Sequence, residues 1–122
     1  MLMKILSNQD VKKVVGGDVI DELMGGYYAH SKNPRLTTFE EFMSKLIPNH
    51  LEILDKMSTH FGIEVFLPYG SKEVMYCASK FFLGELVKRD KRKRLIYEIA
   101  RKNNVSQEII ERRKYGLVSA FD

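Results

Sequence analysis

One short β-branched run, "VKKVV" at residues 11–15, is the only convincing strand in a chain whose other apolar residues mostly recur at helical spacing. That single feature constrains the fold most. A lone strand carries two rows of unpaired backbone N–H and C=O groups and is not stable by itself in water. It has to pair with the same strand of a second copy, pair with a partner chain, or lie on helices. The chain is therefore expected to form a homo-oligomer. The expected fold class is mainly α, a helical bundle-like domain with one short N-terminal strand.

The strand runs into Gly16-Gly17, and three acids, Asp18, Asp21 and Glu22, follow before a second glycine pair, Gly25-Gly26. A strand that ends in glycines and opens a helix presents backbone N–H groups to an anion. Carboxylates suit the positive end of a helix whose first turn lies near 18–21, and Gly25-Gly26 should weaken or end it. Residues 1–9 read as a short helix or turn and 31–35 as a loop. "LTTFEEFMSKLI" predicts a helix capped by Thr37 or Thr38, with Glu40 or Glu41 closing a capping box. Phe39, Phe42, Met43, Leu46 and Ile47 then share its apolar face. Pro48 can begin a second helix that buries Leu51, Leu54, Met57 and Phe61 and ends at Gly62. Pro68 forces Leu67 out of the helical region, so 63–70 reads as extended. Gly70 or Ser71 opens a helix to about Phe82. "KRKRLIYEIARKNN" is a basic helix with Leu95, Ile96, Ile99 and Ala100 inward, and Ser106 caps a last helix through Glu111. Residues 115–122 read as a tail.

At 122 residues and 44% hydrophobic content, the chain reads as a single domain over 1–122 with a real core. No apolar run approaches the roughly 18 residues of a membrane span, and "MLMKILSNQD" lacks the marks of a signal peptide. The one cysteine, Cys77, suits a reducing compartment, so a cytoplasmic location is expected, with the thiol buried and structural. His30, His50 and His60 show no ligand spacing and read as surface or half-buried imidazoles. Residues 88–114 carry eleven Lys or Arg against four acids, a net +7, which leaves −3 elsewhere. Such a half attracts phosphates in nucleic acid, a nucleotide or pyrophosphate, and is equally compatible with a solvated helix face. No nucleic-acid motif accompanies it, so nucleic acid is not the expected partner. Neither a G-x-x-x-x-G-K-S/T loop nor a G-x-G-x-x-G turn occurs.

Four blocks in order carry a resemblance. "GDVIDELMGGY" resembles the G-E-G-S-D-E-(L/V)-F-G-G-Y motif in the synthetase domain of asparagine synthetases. "LDKMSTHFGIEVFLPYGSKEVMYCA" is similar to that family's L-D-(R/K)-M…P-(F/Y)-L-D block, "KRLIYEIA" to its K-x-x-L-R-x-x-A helix, and "SQEIIERRKYGL" to its last R-x-K segment. Together they span residues 17 to 117. The resemblance implies that the chain is the C-terminal part of an α/β PP-loop synthetase fold. The family's S-G-G-x-D-S nucleotide signature does not occur here, nor does its glutamine-hydrolysing cysteine domain.

In that family ATP adenylates the side-chain carboxylate of aspartate, pyrophosphate leaves, and ammonia displaces AMP. The resemblance implies that Asp18 and Lys114 are catalytic, Asp18 as the base toward the amine and Lys114 meeting the charge on departing pyrophosphate. It implies substrate or pyrophosphate binding by Gly17, Asp21, Glu22 and Arg112, magnesium at Asp21, and ATP and Mg as cofactors. The departures are specific: Asp18 is a methylene shorter than the family's Glu, Val19-Ile20 replace Gly-Ser, Tyr97 replaces the helix arginine, and in the second block Phe66 replaces an arginine and Gly70-Ser71 replace Leu-Asp. The first reading is thus part of an ATP-dependent amidating enzyme, inactive alone and completed by a chain carrying S-G-G-x-D-S. The alternative is a non-catalytic, stand-alone remnant acting as an oligomeric binding module.

Overall fold

β1 (Lys13–Val15) has a strand partner within its own chain. In the computed structural model, which describes residues 2–88 and 91–112, β1 pairs in parallel with β2 (Glu64–Phe66). The register sets Lys13 against Glu64, Val14 against Val65 and Val15 against Phe66. The expectation of one strand is corrected: the segment read only as extended supplies the second. Parallel pairing needs a long crossover, and here it is the helical run between the strands. Side chains alternate across a strand. Lys13, Val15, Glu64 and Phe66 therefore face outward, with a Lys13–Glu64 ion pair of 2.8 Å, while Val14 and Val65 are half-buried on the other face.

α1 (Leu2–Asn8) precedes the sheet, and Asp10 turns the chain at a left-handed φ of 57°. After β1 come α2 (Ile20–Leu23) and α3 (Tyr28–Lys32), the first ending before Gly25-Gly26 as its glycines demand. α4 (Leu36–Leu46) starts earlier than the threonine caps predict: Arg35 is the capping residue, and Thr38 is buried instead. Pro48 does not open a new helix. The backbone stays helical from α4 through a wide π turn (Ile47–Leu51) into α5 (Glu52–His60). A proline inside a helix lacks an N–H and its ring crowds the preceding turn, and one extra residue in that turn accommodates it. Met57 is exposed rather than buried, and Ser58 takes the inward position.

Leu67 leads into a short 3₁₀ turn over Pro68–Gly70, and Ser71 caps α6 (Lys72–Ala78) by accepting from the Val74 N–H at 3.3 Å. α6 stops four residues short of Phe82, and α7 (Leu83–Leu86) follows. Cys77, expected inside, is exposed. α8 (Arg94–Lys102) is the basic helix and α9 (Gln107–Glu111) is capped by Ser106 as predicted. Ile99, read as inward, is exposed. The core joins α2, α4, α6 and α7: Met24, Phe39, Ala78, Leu86 and Val87 are buried together, with Leu95 and Ile96 of α8 packed against them. The fold is mainly helical with a two-stranded parallel sheet, and none of its described helices is long and apolar enough to cross a membrane.

Candidate functional site

The end of β1 sets the site. Gly16 continues the sheet by donating its N–H to the Phe66 carbonyl at 2.9 Å. A Cβ there would meet Asp18 Oδ2 and the end of the Leu67 side chain at 2.7 Å, so a larger residue would displace both side chains. Gly17 has nothing within 4 Å of such a Cβ and a φ that any residue adopts. The strained position is Val19, buried and held at φ 76°. A β-branched side chain in the left-handed region costs about 1–2 kcal/mol, and glycine occupies it freely. The motif that this stretch resembles carries its second glycine at this position.

From Val19 the backbone enters α2, which turns Asp21 and Glu22 toward the same hollow as Asp18. A cavity of about 380 Å³ is lined by Gly17, Asp18, Asp21 and Glu22, with Lys45 and His50 closing it from α4 and the π turn. Four of the residues singled out in the sequence thus share one cavity. Arg112 is not among them; it lines a separate cleft beside α8 and α9. Lys114 lies outside the described residues.

Each acid of the cavity has a partner of its own. Asp18 Oδ1 is 2.5 Å from His50 Nε2, and both side chains reach solvent. Asp21 is ion-paired with Lys93, the two side chains each only 19% exposed. Glu22 is buried and accepts a hydrogen bond of 2.7 Å from the Tyr27 hydroxyl. Burial, and then the neighbouring Glu22 carboxylate, push the Tyr27 phenol far above its ordinary range, so it stays a proton donor. Gly26 makes room for the ion pair, since a Cβ there would collide with Asp21 Oδ1 and Lys93 Cε. Arg92, next to Lys93, ties the same glycine from outside by donating to its carbonyl at 2.8 Å.

His30 lies behind this wall with no exposed surface. It stacks on Phe39 with ring centroids 4.2 Å apart, and its Nδ1 accepts from the Tyr27 N–H at 3.3 Å. Burial holds its pKa below the ordinary value of 6.5, against the pull of Glu22 and Asp21. The reading of His30 as a surface or half-buried imidazole is corrected: it belongs to the core wall.

Magnesium at Asp21 would meet a carboxylate that is already ion-paired with Lys93. Among the described residues no group of three or more His, Cys, Asp or Glu side chains is arranged to hold a metal ion, and Asp21 already faces an ammonium. Sequence reasoning missed His50, Lys93 as a partner of Asp21, and the Tyr27–Glu22 bond. Their separations of 32, 72 and 5 residues carry no periodic signal. No family model matches the chain, and no curated protein matches it.

Proposed function

We propose that the chain is the acid-bearing part of an ATP-dependent amidating enzyme of the aspartate-to-asparagine type, resembling asparagine synthetases and derived from the C-terminal part of an α/β PP-loop synthetase fold. The S-G-G-x-D-S nucleotide loop comes from a partner chain in this reading. One observation carries it: Gly17, Asp18, Asp21 and Glu22, all named from the first of the sequence blocks, line one cavity. The left-handed φ of Val19, where the motif has glycine, gives it further support.

With ATP held on the partner's loop, the substrate's own carboxylate would be activated by adenylation, with pyrophosphate released and AMP later displaced by the amine. This chain's share is proton handling and placement. An attacking ammonium must lose a proton before its nitrogen lone pair is available. Asp18 is a methylene shorter than the glutamate of the motif, and His50, hydrogen-bonded to it, extends proton acceptance further into the cavity. Lys45 and Asn49 at the rim offer donors to a substrate carboxylate.

The test is exchange of labelled pyrophosphate into ATP on mixing the chain with a protein that bears S-G-G-x-D-S. Exchange and amide formation are expected with the mixture, and amide formation should fall on the order of a hundredfold or more in Asp18→Asn. A tight complex that neither exchanges nor forms amide would replace this reading with the non-catalytic oligomeric binding module. That second reading is favoured by the intrachain partners that Asp18, Asp21 and Glu22 already hold.

A further inference from the structure

The cleft between α8 and α9 has a different character from the acid cavity. It measures about 460 Å³ and is lined by Lys91, Arg92, Arg94, Arg101 and Arg112, with Tyr97 in its wall. Glu98 and Glu111 are its only acids among the described residues, which leaves the lining at a net +3. None of the five cations has a carboxylate partner among the described residues. Two of them are nonetheless fixed. Arg92 donates to the Gly26 carbonyl at 2.8 Å and lies 3.8 Å over the Tyr28 ring, and Arg94 donates to the Gly84 carbonyl at 2.7 Å. Carbonyls and rings orient a guanidinium without cancelling its charge, so each arginine is held in place for an anion.

The arrangement also has a direction. Arg94, Tyr97 and Arg101 stand at i, i+3 and i+7 on one side of α8, which spreads the two guanidiniums over about 10.5 Å of helix rise. Tyr97 sits between them and is exposed. Two carboxylates among the cations break the positive field into separate positions. A string of spaced phosphates with a flat base between them fits that pattern better than one compact anion. We propose that this cleft binds single-stranded nucleic acid, its arginines on successive phosphates and Tyr97 as a stacking surface for a base. The inference concerns a different cleft from the acid cavity and does not rest on the amidating reading.

Fluorescence anisotropy of a labelled oligouridylate of about twelve nucleotides, titrated with the full chain at about 50 mM salt, tests it. Binding should weaken with salt, and Arg101→Gln with Arg112→Gln should flatten the log–log slope by about 0.7 per lost phosphate contact. Tyr97→Leu keeps the bulk but loses the aromatic face, and should weaken binding roughly 5- to 150-fold. Lys4→Gln with Lys72→Gln removes equal charge elsewhere and should leave affinity and slope within about twofold. Three results would overturn the proposal: no binding at low salt, an equal loss in the distant lysine pair, or displacement by inorganic tripolyphosphate together with indifference to Tyr97→Leu. The last would make the cleft a compact-anion site.

Discussion

His30 shows how one side chain can make a fold sensitive to acid. It has no exposed surface, and burial lowers its affinity for a proton in the folded chain. The unfolded chain binds that proton at the ordinary value near 6.5, so the stability linked to His30 is complete above that pH and is lost as the pH falls through it. Urea unfolding should therefore show the chain weaker at pH 5.5 than at pH 7.5, and His30→Phe should reduce that difference; equal pH slopes in the two proteins would contradict it. Nothing at this position gave the burial away. His30 precedes a loop in sequence, and its partners Phe39 and Phe42 were legible only as the apolar face of the next helix. The acids were legible as a group because they crowd between two glycine pairs. Their individual partners were not, because an ion pair with a residue 72 positions away leaves no local mark.

Among the elements, the attachment of the 91–94 segment beside α2 ties the basic segment to the wall of the acid cavity. Lys93 reaches Asp21 across the bare backbone of Gly26, with Lys93 itself in a left-handed turn at φ 50°. Lys93→Met removes a close cation from a largely buried carboxylate and should cost about 2–3 kcal/mol, discounted from the fully buried case because both side chains retain some exposure. Asp21→Asn combined with Lys93→Met should recover most of that loss, giving a coupling of about 1–2 kcal/mol in a double-mutant cycle read from denaturant midpoints. Additive losses would mean the pair is incidental. The long helices were readable from periodicity, and Ser71 and Ser106 from capping chemistry. The second strand was half-readable. Pro68 marks 63–70 as non-helical, but a three-residue strand is too short to display alternation, so its pairing with β1 could not be inferred.

The described residues present an acid cavity and a basic cleft joined by one four-residue basic segment, together with a sheet whose outer face none of them covers. Parallel sheets are almost always covered on both faces, yet Val15 and Phe66, paired across the strands, are 74% and 59% exposed. The internal pairing of β1 with β2 removes the original reason to expect a second copy, and this open face supplies a new one. Sedimentation equilibrium should find self-association, and Phe66→Lys should shift the chain toward monomer with little change in melting temperature. A monomer across the concentration range would place the cover elsewhere. Charge asymmetry was visible in the composition, but its division from the acids was not, since counting residues along a chain gives no distance between surfaces. The widened turn at Pro48 has its own bearing on descent. It acts as a phase setter: losing a single residue from 47–51 would rotate all of α5 by about 100° about its axis. Ser58 would swing to water, and a loss among 47–50 would also take His50 from Asp18, so a length change that looks like a trivial gap would re-face an entire helix.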